Sequence, residues 1–316
     1  MQNTSQSPHP SQTQGLDVRA LAGIGLLVAA VACFAVLDTT TKRVTAEVPL
    51  FMTVWARYFF QAIATTALVL PKRGLAVLRT EHLGLQITRG VLMIVVTLLA
   101  FSSLRVMPVG EFTAIVMTTP LLVTLLAARL LGEHVSGLRL LLVAGGFFGT
   151  AIIVRPSGDE MNWHMLLPLG MVAANAAFQL LTSRLARTEA SLTTQFYTSW
   201  VGVILASIPL LWSWTTVDNP LLWLGLLLMG VAGATGHMLM IMAFGRAPAA
   251  TLMPYMYLQI GFAMVGGWIM FSHVPDHVSL LGIGLIAACG TAGGLLTLYE
   301  SRSAQARSQA LVRQQA

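Results

Sequence analysis

The sequence predicts an all-α integral membrane protein whose ten transmembrane helices form two inverted repeats of five. Three observations carry this prediction. Hydrophobic residues make up 56% of the 316-residue chain and charged residues only 9%, whereas a soluble domain is about a quarter charged, so the outer surface must be solvated by lipid. The apolar residues also fall into ten runs of membrane-spanning length. Finally, short motifs recur in one order at a nearly constant offset.

The runs lie near 20–41, 49–70, 83–104, 109–130, 137–154, 163–183, 191–211, 221–244, 249–271 and 279–298, each close to the roughly 20 residues a spanning helix needs. The joints carry turn-forming or charged residues, among them Glu47-Val-Pro49, Pro71-Lys-Arg-Gly74, Met107-Pro-Val-Gly110, Asp218-Asn-Pro220 and His273-Val-Pro-Asp276. Runs 83–104 and 109–130 are so close that a tight hairpin is expected. Within the second of them Pro120 removes a backbone donor and should kink the helix. In a membrane bundle neighbouring helices can satisfy the freed carbonyl. Residues 1–19 and 299–316 are polar and read as tails, the first Ser/Gln/Pro-rich and expected to be disordered. No small-residue cleavage site follows the first apolar run, which reads as a retained helix.

Loop charges predict orientation. With a cytoplasmic N-terminus, twelve Lys and Arg residues fall inside and four, Lys42, Arg43, Arg105 and Arg155, fall outside. That bias places both termini in the cytoplasm of a cell whose inner membrane holds the chain. Trp163, Trp212, Trp214 and Trp223 then gather at the outer interface. Gly90 and Pro108 recur as Gly230 and Pro248, Thr41-x-Arg43 as Thr182-x-Arg184, Gly149-Thr-Ala151 as Gly290-Thr-Ala292, and His134-Val-Ser136 as His277-Val-Ser279. Residues 20–156 and 163–298 are therefore expected to be two five-helix repeats. Five is odd, so the second enters the membrane from the opposite side, a transporter arrangement with its substrate site between the halves.

Several pieces together resemble the drug/metabolite transporter superfamily, in its EamA-type branch. They are Asp38-Thr-Thr-Thr-Lys-Arg43, Pro49 followed by Trp55-Ala-Arg57-Tyr58, Arg89-Gly90, Met107-Pro-Val-Gly-Glu111 through Pro120, Gly132-Glu133 and Val154-Arg-Pro156. The resemblance spans about residues 20–298 and is strongest in the first repeat. In the second, Gln259-Ile260 stands where a proline is common, and Phe271-Ser-His273 stands where Gly-Glu is usual. What the resemblance implies is a secondary transporter.

Eight residues are candidates for substrate binding or coupling. Arg57 lies about 12 Å into its helix at 1.5 Å per residue, where a cation needs a partner or a polar cavity. It reads as an internal ion pair or as the anchor for an anionic substrate group. Asp38 can pair with Lys42 one turn on, or couple protons or bind a substrate ammonium group. Glu111 opens its helix where the dipole favours an acid, or titrates from the outer side. His237 lies among Gly230, Gly233 and Gly236, and reads as a satisfied interior histidine, a proton relay or a hydrogen-bond partner for substrate. Asn175 and Gln179 share a face of one helix, as do Tyr255 and Gln259, four residues apart; either pair lines a cavity or packs. Arg89 is expected to snorkel to the cytoplasmic interface. Methionines crowd the eighth and ninth runs, which suits loosely specified organic ligands as well as packing.

The sequence holds no phosphate loop, HExxH or GxSxG motif, and its two cysteines, Cys33 and Cys289, lie far apart. No cofactor or metal is expected, and scattered basic residues do not suit nucleic acid. The expected function is secondary transport of small amphipathic organic metabolites, amino-acid-like or heterocyclic, by alternating access with proton coupling or exchange. A non-transporting receptor or intramembrane enzyme is the alternative. The expected partners are a small organic substrate and the bilayer. The sequence does not choose between monomer and homodimer.

Overall fold

The computed structural model describes residues 11–130, 137–154, 166–185, 188–244, 246, 252 and 255–315. Helix α1 (Ser11–Thr45) is followed by α2 (Leu50–Arg73), a 3-10 turn over Gly74–Leu78 and α3 (Leu83–Val106). Next come α4 (Val109–Val116), α5 (Thr119–Leu130) and α6 (Gly137–Val154). The second half holds α7 (Leu166–Leu185), α8 (Ser191–Ser213), α9 (Pro220–Phe244), α10 (Leu258–Phe271) and α11 (His277–Gln315). Gly132, Glu133, Arg155, Trp163 and Pro248 lie outside the described residues.

The chain is an all-α integral membrane protein. Leu21–Thr45, Leu83–Val106, Leu192–Ser213, Pro220–Met240 and His277–Leu296 are each long and apolar enough to cross a bilayer. The outside of the bundle is apolar, with Ile204, Ile208, Leu211, Ile269 and Leu281 exposed, while Arg57, Gln61, Gln86, Arg89 and Gln195 are buried. Helices of a soluble protein show the reverse. Trp212, Trp214 and Trp223 are exposed around the α8–α9 joint, as amphipathic rings at a membrane interface are.

Packing follows the repeat. Taking α4 and α5 as one span, α1 packs on α9 and α3 packs on α7; α2 packs on α8, α6 on α11, and α4 on α10. Exchanging the first five spans for the last five leaves this pairing unchanged. Most of the tight packing is therefore between halves, in one core that runs from Ala35 to Ile286.

Four expectations change. The fourth span does not kink but breaks: Met117 and Thr118 form a turn, and Pro120 stands at the start of α5. Proline has no N–H for the residue four before it, and Thr118 instead donates to Ile115 three residues back. The joint between α3 and α4 is short, yet they form no packed hairpin, because α4 leaves α3 to pack on α10. Helix α2 also runs through Pro71, and Gly74, at φ +54, closes it by donating its N–H to Leu70. Both terminal helices continue beyond their apolar stretches into the polar tails.

Candidate functional site

The centre of the bundle is built around α2. Arg57, only 3% exposed, donates from Nη1 to Thr97 Oγ1 on α3 at 2.7 Å. Thr97 donates in turn to the Met93 carbonyl at 2.8 Å, and the Tyr58 hydroxyl bridges Met93 O at 3.0 Å and Thr97 Oγ1 at 2.8 Å. The guanidinium lies over the rings of Tyr58 and Phe101, 5.0 and 5.8 Å from their centroids, where the ring faces attract a cation. Its Nε has no hydrogen-bond partner. One turn on, Gln61 donates from Nε2 to Ser199 Oγ on α8 at 3.2 Å, and its Oε1 is also unpaired and buried.

Helix α9 closes this centre with glycines. A side chain at Gly230 would meet Phe60 Cβ at 2.4 Å, so its absence lets the α9 and α2 backbones touch. Gly233 faces the two unpaired atoms: a methyl group there would lie 3.5 Å from Gln61 Oε1 and 3.8 Å from Arg57 Nε. His237 follows with its ring edge-on to Phe34, centroids 5.0 Å apart.

Asp38 on α1 accepts a hydrogen bond from Gln259 Nε2 on α10 at 3.4 Å. Its expected pairing with Lys42 does not form. Lys42 instead donates to the carbonyls of Leu104 and Met107 at 3.0 and 2.7 Å, because the break after α3 leaves those oxygens available. Lys42, Arg105, Met107, Phe271 and His273 line a cavity of about 270 Å³ at that end of the bundle. Glu111 lies beside it, 3.7 Å from His273 Nε2.

The structure thus brings Arg57 to the α2–α9 contact, His237 of α9 to Phe34 on α1 and Asp38 to Gln259, and sets Glu111 apart at the cavity. Asn175 and Gln179 are half-buried on α7. Tyr255 and Gln259 do not share a face, because a turn at Tyr257 intervenes; Tyr255 is exposed and Gln259 is buried. Arg89 does not snorkel. It is buried, donates to Thr182 Oγ1 at 2.7 Å and to the Thr198 hydroxyl, and stacks over Phe178, tying α3 to α7 and α8. Sequence reasoning missed Gln61, Thr97, Ser199 and Gly233 as site residues. Of these only Gln61 carried a local signal, since it follows Arg57 by one helical turn.

Residues 21–155 match the EamA-like transporter family. The riboflavin transporter of Rhizobium johnstonii is 30% identical over 292 residues, covering 90% of this chain and 93% of that one. This chain is a member of the EamA-like transporter family. The S-adenosylmethionine uptake transporter of Rickettsia felis is 23% identical across 91% of this chain and 96% of that protein. The pseudopaline exporter of Pseudomonas aeruginosa is 26% identical across 85% and 94%. A protein of known crystal structure superposes over 90% of this chain and 98% of its own, with TM-score 0.62 at 16% identity, which supports the fold alone. The protein is a small-molecule transporter of the drug/metabolite superfamily and not an enzyme.

Proposed function

We propose that this protein moves a heterocyclic or amino-acid-like metabolite across the cell's inner membrane by alternating access, the halves 20–156 and 163–298 rocking about the α2–α9 contact. The observation that carries this reading is Arg57. A guanidinium is buried between the halves with its Nε–H left unpaired, and an ionisable group in such a place is functional by default in a membrane bundle. Relatives named for riboflavin, S-adenosylmethionine and pseudopaline transport supply the substrate class, and riboflavin is the first compound to try.

Coupling is assigned to Asp38. It belongs to the first half and its hydrogen bond comes from Gln259 of the second, so gain or loss of its proton changes a contact that must break when the halves rock. Both termini are cytoplasmic in this reading, with the Lys42–His273 cavity opening outward.

The test is counterflow in sealed proteoliposomes loaded with riboflavin, S-adenosylmethionine or an amino-acid panel, with and without a proton gradient. Accumulation of at least one of these solutes is expected, and movement of none overturns the reading. Arg57→Gln should reduce the flux at least tenfold in folded protein. Asp38→Asn should keep counterflow and lose the response to the gradient; full proton-driven uptake by that variant would refute the coupling role.

A further inference from the structure

We infer that Arg57 and Gln61 form a matched donor–acceptor pair that reads the lactam or imide edge of a heterocyclic substrate, with Gly233 keeping the space for that edge. This rests on the reading of the chain as a transporter of such solutes, and adds which atoms recognise the ligand.

The geometry makes the pair directional. Ser199 Oγ gives its single proton to the Gln195 carbonyl at 2.9 Å, so it can only accept from Gln61. That fixes the Gln61 amide with Nε2 toward α8 and Oε1 toward Gly233. Arg57 is equally constrained, because Thr97 and the Tyr58 and Phe101 rings hold the guanidinium and leave Nε–H beside the same glycine. The result is one donor and one acceptor, each more than nine-tenths buried and each without a partner. Buried polar groups are normally satisfied, and a ligand that satisfies both atoms at once offers the reverse pattern.

That pattern disfavours a carboxylate. Two anionic oxygens would suit Arg57 but would set one of them against the Gln61 carbonyl. A ring carbonyl next to a ring N–H satisfies both atoms at once. Sites that hydrogen-bond a ligand group reject analogues lacking it far more strongly than apolar pockets reject a change of size. The space beside Gly233 now accommodates about a methyl group, so the ligand edge enters only when α9 withdraws from α2. Ligand recognition and the rocking of the halves are therefore the same event.

The experiment compares riboflavin with 3-methylriboflavin, whose imide N–H is replaced by a methyl group, in proteoliposome counterflow. Wild-type protein should take the parent with at least tenfold lower apparent KM. Gln61→Met should abolish that preference, and the preference is a ratio within one preparation, independent of how much protein is folded. Gly233→Ala should weaken the parent at least tenfold with an unchanged thermal midpoint, since its methyl group meets only ordinary contacts of 3.5–3.8 Å. Equal KM values in wild type, or an undiminished preference in Gln61→Met, overturn the inference while leaving the transporter reading intact. Absence of wild-type flux for riboflavin and every other lactam-bearing solute, with S-adenosylmethionine or an amino acid still moving, overturns this inference alone; movement of no solute overturns both.

Discussion

Thr97 is the residue on which the buried cation depends. Its hydroxyl accepts from Arg57, meets Tyr58 and donates to Met93. Thr97→Val keeps the shape and strands a guanidinium N–H, at a cost of about 1–3 kcal/mol. A lowered midpoint in denaturant or thermal unfolding in detergent is the expected result. Thr88→Val on the same helix should stay within about 0.5 kcal/mol, because Thr88 is exposed and bonds only the Gly84 carbonyl one turn back. At this scale the sequence exposed Arg57 as a cation too deep to be indifferent. It could not supply Thr97, which lies 40 residues away on another helix.

At the scale of elements, the two helix breaks face each other. The first lies at Met117, the second at Tyr257, and the Tyr257 hydroxyl donates to the Met117 carbonyl at 3.2 Å. Pro120 made the first break legible. The second has no proline at the matching place, yet Ile260 donates to Tyr257 three residues back, as Thr118 does to Ile115. Tertiary contact sets it. Tyr257 packs on α11, where a methyl group at Gly290 would fall 1.7 Å from its ring. Gly290→Ala should therefore destabilise the protein by about 1–3 kcal/mol through overpacking. Gly284→Ala, with nothing within 4 Å, should stabilise by about 0.5–1 kcal/mol as a helix substitution. Thermal unfolding of the two variants side by side distinguishes these outcomes, and equal midpoints would contradict the packing argument.

Across the whole molecule, one acid joins the halves at the end opposite the cavity. Glu189, between α7 and α8, accepts from Thr80 Oγ1 at 2.6 Å and from the N–H groups of Glu81 and His82 at 2.9 and 3.2 Å, in the joint before α3. Slight burial opposes its charge, but these three donors outweigh it and hold the carboxyl below the usual carboxylate range. A depressed folded-state value means the stabilisation is complete above about pH 4.3, the unfolded glutamate value, and is lost as pH falls through the folded one. Glu189→Gln should therefore melt lower than wild type at pH 7, with the difference shrinking below about pH 4. A difference that does not depend on pH would assign the effect to packing instead.

Sequence alone was enough for the all-α membrane class and its helical spans, and it marked Arg57 as a cation inside an apolar helix. These follow from local chemistry, since hydropathy and run length are read residue by residue along the chain. Only the tertiary structure decided partners. Lys42 turned from Asp38 to two carbonyls, Arg89 turned inward to α7 and α8, and Tyr255 parted from Gln259 at a turn with no proline where the first half has Pro120. Those choices depend on which helix packs on which, and in this chain the helices pack chiefly across the halves, far apart in sequence. The Arg57–Gln61 pair shows both sides of that division: helical spacing put the two side chains on one face, and α8 and α9 decided which of their atoms were left unpaired.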